Sequence, residues 1–189
     1  MQMKRRIDRS LRRQKVIATM EIVMTTDRWA SQIKEKLEHM QAKVVFAESC
    51  TAGLAAATMG EVPGVSAVFC GSAVTYREAT KRSWLNVQAT TIQQETAVSS
   101  AAAVEMALGA LQMTPEATWS VSVTGHLGPD APQDQDGKIF VAVAKRDPEN
   151  ERRILNRECV QLNAQMRIDR QREAVAVLLQ MLMDQLEAC

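Results

Sequence analysis

Ala47-Glu48-Ser49-Cys50-Thr51-Ala52-Gly53 is the stretch on which the reading of this chain turns. Before it stands Val44-Val45-Phe46-Ala47, a short apolar run of the strand type. After it comes Leu54-Ala55-Ala56-Ala57-Thr58-Met59, of the helix type. A strand that stops, turns through small and hydroxyl residues and becomes a helix leaves backbone N–H groups free at the helix start. With the helix dipole, those groups favour an anion or a developing oxyanion. Ser49 is a hydroxyl at that turn and so a candidate nucleophile. The same residues also fit ordinary capping, in which a hydroxyl merely accepts a bond from a backbone N–H. What separates the two readings lies downstream.

Upstream, Asp27 is placed to cap a first helix, along which Trp29, Ile33, Leu37 and Met40 recur at helical spacing to about Gln41. Beyond the Ser49 turn, a helix from about Gly53 ends near Gly60, and Val62-Pro63-Gly64 turns the chain. Val65 to Val68 is an apolar run fitting a further helical turn. Phe69 to Thr75 has the character of a buried strand, which Tyr76 ends. Glu78 to Leu85 is a short helix carrying Lys81, and a loop follows it. Ser99 then caps an Ala-rich helix through Leu111, closed off by Pro115.

Trp119 to Thr124 alternates polar and apolar residues and is a strand. Gly125 to Gly137 is too long for a plain hairpin and is suspected of function. Lys138 to Lys145 is a strand, Asp147-Pro148-Glu149-Asn150 a turn, and Arg152 to Leu162 an antiparallel partner strand. Met166 to Leu186 is a long amphipathic helix with Ala174, Leu178, Leu182 and Leu186 on one stripe. This alternation with a late β-meander predicts an α/β fold, a three-layer α/β/α sandwich with a mixed central sheet. One domain covers residues 27–189, preceded by a basic N-terminal extension over 1–26.

The 189 residues suit one compact domain, and a hydrophobic share of 46% can fill its core. A formal net charge of +1 and few aromatics argue against a nucleic-acid partner. Cys50, Cys70, Cys159 and Cys189 form no close pair, and His39 and His126 are the only histidines, so no metal site is expected. Reduced, mostly buried thiols are the expectation. No run of about eighteen apolar residues predicts a membrane span. The basic N-terminus followed by Val16 to Met24 superficially suggests a signal peptide, but Glu21 interrupts the apolar part and no clear small-residue cleavage site follows.

Ser49, Tyr76 with Lys81, and Thr124-Gly125 all fall at strand ends, where open α/β sheets gather their ligands. A serine needs a base to become nucleophilic. A lysine serves if desolvation or nearby positive charge makes it neutral, and Tyr76 could relay the proton or hold the amine. Each piece also has an ordinary reading: a solvated helix lysine, a packing tyrosine, a plain loop.

The motifs resemble a known family. Residues 47–53 look like its segment A-E-S-C-T-G-G, and Val62-Pro63-Gly64-Val65-Ser66 like V-P-G-S-S. Val74-Thr75-Tyr76 with Ala79-Thr80-Lys81 is similar to V-T-Y-S-N-E-A-K. Ala97-Val98-Ser99, then Met106-Ala107-Leu108-Gly109-Ala110, resembles G-A-V-S followed by M-A-x-G-A. Val123-Thr124-Gly125 and Gly128-Pro129 resemble V-T-G-I-A-G-P-G-G. This ordered set, over roughly residues 28–187, is similar to the CinA C-terminal domain family, whose active members are nicotinamide-nucleotide amidases.

The resemblance implies a cytoplasmic hydrolase without metal or cofactor, self-associating into a homo-oligomer, that converts nicotinamide mononucleotide to nicotinate mononucleotide and ammonia. It implies Ser49 as nucleophile and Lys81 as general base, aided by Tyr76, with Glu48, Thr51, Gly53, Thr124, Gly125 and Gly128 on the substrate side. The chain departs from the pattern at Ala52, which replaces a glycine, at His126-Leu127, which stands for Ile-Ala, and at Asp130-Ala131-Pro132, which stands for glycines. An aspartate and a proline in a glycine loop disfavour a phosphate there. A CinA-like domain that binds a nucleotide or protein partner without turnover is the alternative. A hydrolase using Cys50 with His126 is a third.

Overall fold

The computed structural model describes residues 25–132 and 134–189. Helix α1 covers 25–39, and the remaining elements follow in chain order. They are β1 (Val44–Glu48), α2 (Leu54–Gly60), a 3-10 turn at Val65–Ala67, β2 (Phe69–Val74), α3 (Glu78–Leu85), α4 (Ala89–Glu95), α5 (Ser100–Met113), β3 (Trp119–Gly125), β4 (Lys138–Arg146), β5 (Arg152–Gln161) and α6 (Arg167–Glu187). The sheet runs β2-β1-β3-β4-β5. β1 pairs in parallel with β2 and β3, whereas β4 pairs antiparallel with both β3 and β5. The expected α/β/α sandwich with a mixed sheet is what the chain forms.

Two cores lie on opposite faces of the sheet, because successive strand residues point to opposite sides. Val44 and Phe46 join Ile33, Leu37, Leu178 and Leu182 on the α1, α2 and α6 face. Val45 and Ala47 join Leu85, Met106, Ala107 and Leu111 on the α3 and α5 face. The stripe Ala174, Leu178, Leu182 and Leu186 is fully buried.

The polar alternation in β3 has a second meaning. Ser120, Ser122 and Thr124 are fully buried. Ser120 donates to the Ala107 carbonyl (2.8 Å), Ser122 to the Ala103 carbonyl (2.6 Å) and Thr124 to the Ala97 carbonyl (3.2 Å). A buried hydroxyl costs little once it is bonded. Ser120 and Ser122 therefore fasten α5 to the sheet, and Thr124 ties in the segment just before it. α5 in turn lies hard against the end of α3: a Cβ on Gly109 would stand 2.0 Å from the Leu85 carbonyl oxygen, so only glycine fits.

Several expectations need correction. The helix is already formed at Thr25, so Asp27 is inside it and caps nothing. β2 is an edge strand, half-buried rather than buried. The loop expected after α3 contains α4, a helix with no apolar stripe. Its start is capped from elsewhere: Glu105 on α5 accepts from the Gln88 backbone N–H (2.8 Å) and the Thr91 hydroxyl (2.6 Å). Of the cysteines, all free, only Cys50 is buried, while Cys159 and Cys189 are exposed. The extension over 1–26 lies outside the described residues except for Thr25 and Thr26. Among the described residues, no helix is long and apolar enough to cross a membrane.

Candidate active site

β1 ends on Glu48, and the next residue is Ser49. Glu48 is fully buried, yet its carboxylate is fully engaged. It accepts from the Thr51 hydroxyl (2.7 Å), the Ser72 hydroxyl (2.9 Å) and the backbone N–H groups of Gly53, Ala55 and Ala56 (each 3.0 Å). An anion is thus already installed at the start of α2 and satisfies the orphan donors there. Ala52 N–H goes to the Ser49 carbonyl and Leu54 N–H to the Thr51 carbonyl. This overturns the expectation that the helix start is free for a substrate oxyanion. Of the backbone donors after Ser49, the N–H groups of Cys50 and Thr51 have no backbone acceptor among the described residues. Glu48, Thr51 and Gly53, expected on the substrate side, form the internal frame of the turn instead.

That frame holds Ser49 from several sides. Its N–H donates to Val123 O (3.0 Å) on β3, and Gln171 of α6 donates to the Cys50 carbonyl (3.2 Å). Glu48 O accepts from Thr75 N–H (2.7 Å) on the far side. The Ser49 hydroxyl makes no hydrogen bond among the described residues and faces a cleft of ≈ 700 Å³, which Lys81, Tyr76, Gly125, His126, Gly128 and Arg167 also line.

Lys81 is 1% exposed. Its amine donates to Ala97 O (2.7 Å) and to Thr124 Oγ1 (2.6 Å). Burial pushes its pKa down to about 8, against the opposing pull of Cys50 and Glu78. A neutral amine has two N–H bonds and one lone pair. With both N–H bonds taken, the lone pair is left for the cleft. Thr124, fully buried, is therefore a positioning group for Lys81 and not a wall of the cleft. Ser49 and Lys81 share the cleft without a hydrogen bond to each other.

Tyr76 stands apart from this pair. It is 53% exposed, and its hydroxyl accepts from Arg167 (2.8 Å), whose guanidinium also donates to Gly128 O (2.6 Å). The structure therefore puts Tyr76 at the mouth of the cleft, bonded to an arginine instead of to Lys81. Sequence reasoning missed Arg167. The signal was its place in the first turn of α6, where a cation opposes the helix dipole. Among the described residues it faces no carboxylate in an ion pair, so its remaining N–H donors are open to a ligand.

Cys50 is buried beside Ser49, and burial raises its pKa to about 12. A thiol held protonated at neutral pH is a poor nucleophile, which disfavours the Cys50–His126 reading. The loop after β3 is braced at its base. Arg170, almost wholly buried, clasps Asp136 with two bonds (2.6 and 2.8 Å) and donates to Ala164 O (2.8 Å). Gly125 has no room for a side chain, since a Cβ would meet Ile139 at 2.5 Å. Asp130 lines the cleft with φ 62, and the exposed Ala52 takes φ 53. Among the described residues no cluster of His, Cys, Asp and Glu could hold a metal ion.

A mixed-sheet α/β/α domain that presents a strand-end serine and a buried lysine of lowered pKa to one cleft defines the class. The profile of the CinA C-terminal domain family matches residues 26–186, and the chain belongs to that family. It is 37% identical over 121 residues to a CinA-like protein of Myxococcus xanthus, covering 63% of this chain and 28% of that one. With a CinA-like protein of Synechococcus sp. it shares 38% over 117 residues, 61% of this chain and 27% of that one. The match spans less than a third of the length of these relatives. Among solved structures, the competence/damage inducible protein CihA of Agrobacterium tumefaciens superposes with a TM-score of 0.79 at 30% identity, covering 86% of this chain and 96% of that one. The competence damage-inducible protein A of Klebsiella pneumoniae gives 0.78 at 25% identity, covering 86% and 97%.

Proposed function

We propose that this chain is an amidohydrolase that splits the carboxamide of nicotinamide mononucleotide into nicotinate mononucleotide and ammonia. The observation that carries this reading is the state of Lys81: buried, its pKa near 8, its two N–H bonds committed to Ala97 O and Thr124, in the same cleft as Ser49. At pH 7 about one lysine in ten is then neutral, enough for a general base.

Ser49 Oγ attacks the carboxamide carbon as Lys81 takes its proton. This needs the two groups to close on each other, or one water between them, when substrate arrives. The developing oxyanion is served by Cys50 and Thr51 N–H, the donors that Glu48 does not occupy. The proton then passes to the departing nitrogen, which leaves as ammonia, and water clears the acyl group from Ser49. Arg167 at the mouth takes the phosphate, and Tyr76 holds Arg167 in place.

The second reading, binding without turnover, draws support from the unbonded Ser49–Lys81 pair and from Asp130 in the cleft wall. Ammonia release from nicotinamide mononucleotide by wild type, Ser49→Ala and Lys81→Ala separates the two. Release by wild type alone supports the amidase. Equal release by all three removes both assigned roles, and calorimetric binding without any ammonia favours the silent domain.

A further inference from the structure

His126 is where this chain departs from its family's motif, and the structure sets it in the cleft wall. Its backbone is pinned at the neck of the loop: its N–H donates to Lys138 O (2.9 Å), and its carbonyl accepts from Gly137 N–H (2.8 Å). The preceding Gly125 packs against Ile139 without space for a side chain, so the neck is tightly packed. The imidazole itself makes no hydrogen bond among the described residues.

The charged and titratable groups around it are identifiable. Lys81 of α3 and Asp136 of its own loop act on it directly, and Asp136 is already clasped by Arg170 of α6. Cys50 of the Ser49 turn, Arg167 of α6, Asp130 of the loop, and Tyr76, Arg77 and Glu78 on the β2–α3 side line the same cleft. Burial and the Lys81 charge hold the His126 pKa below its ordinary value, so the ring is neutral at neutral pH, with one nitrogen donating and one accepting.

A carboxamide bound for attack turns its oxygen to backbone donors and is left with two N–H bonds that need acceptors. Several acceptors along the cleft already carry a donor. Ala97 O receives Lys81 and Thr124, while Gly128 O and the Tyr76 hydroxyl both receive Arg167. The carboxylates of Glu78 and Asp130 sit on the exposed rim. We propose that His126 is a substrate-contacting residue whose neutral imidazole accepts a hydrogen bond from the carboxamide nitrogen. The inference rests on the amidase reading for the ligand's identity.

The chain has two histidines, and His39 on α1 is exposed and serves as an internal control. The ring Cε1–H signals of both are followed by NMR in Ser49→Ala protein titrated with nicotinamide mononucleotide, alongside calorimetry and the wild-type ammonia assay. His126 is expected to shift and its titration midpoint to fall, because the bond needs the neutral ring, while His39 stays fixed. His126→Leu should weaken binding about tenfold, and His126→Gln, which keeps an acceptor, should recover part of it. Calorimetric binding with an unmoved His126 signal overturns this proposal and leaves the amidase standing. A moving signal with no ammonia from wild type supports the contact and overturns the amidase. Neither binding nor ammonia overturns both.

Discussion

The turn over 47–56 and the loop over 126–137 flank the same cleft and are built in opposite ways. The turn is organised around a buried anion, Glu48, that meets five donors, and its geometry is set from inside. The loop is braced mainly at its base, by the Arg170–Asp136 clasp and the tight glycine neck, with one further bond from Arg167 to Gly128 O, and its tip carries Asp130 and Asp134 at left-handed φ. A self-satisfied network tolerates little change, because removing one partner orphans the others. A braced loop can vary at its tip while its neck stays fixed. On the proposed reading, Ser49 is thus presented by the tightly bonded region, and the loop tip is where substrate choice can be adjusted.

The hardest blow to this contrast is Glu48→Ala. It strands one buried and two part-buried backbone N–H groups and two hydroxyls, and it should cost on the order of 3–5 kcal/mol in denaturant unfolding. A cost below about 1 kcal/mol would mean that the turn is not organised by that carboxylate. Lys81→Met acts in the opposite direction. The folded chain binds the Lys81 proton less tightly than the unfolded chain does, so wild-type stability is lowest below about pH 8 and rises from there toward pH 10.5. Replacing the amine should abolish ammonia release yet raise stability at pH 7 by roughly 2 kcal/mol, after discounting the two lost hydrogen bonds. In the wild type, kcat/KM should climb with pH and level off above about pH 8.

Arg170→Met tests the loop. Releasing its base should lower kcat/KM about tenfold through misplacement of the cleft wall. The effect should fall more on KM than on kcat, since Ser49 and Lys81 stay where they are. A fall in kcat alone would tie the loop to the chemistry itself. The smallest effect is expected at Ala52→Gly. Its methyl is exposed and off the cleft wall, so the change only relieves a left-handed backbone, stabilising by about 0.5–1 kcal/mol without altering turnover.

What was legible in the sequence was local. Strand β1, the Ser49 turn, α3 with Lys81 and the α6 stripe are each signalled by residues within a few positions of one another, where periodicity and capping operate. The sheet's mixed character followed from the order of the segments. Helix α4 was not legible, because its cap, Glu105, comes from the next helix. Arg167 was hidden likewise, since its partners Tyr76 and Gly128 are far away in the chain.

The sequence alone therefore determined the family, the layered fold and which serine and lysine are candidates, because those depend on short-range pattern and residue type. Only the tertiary structure decided which side each group serves. Glu48 turned inward to the helix start, Thr124 became the support of Lys81, Tyr76 moved to the rim with Arg167, and His126 was left with an open acceptor. The reason is that a polar side chain's role is set by the partners that satisfy it, and those partners come from distant parts of the chain.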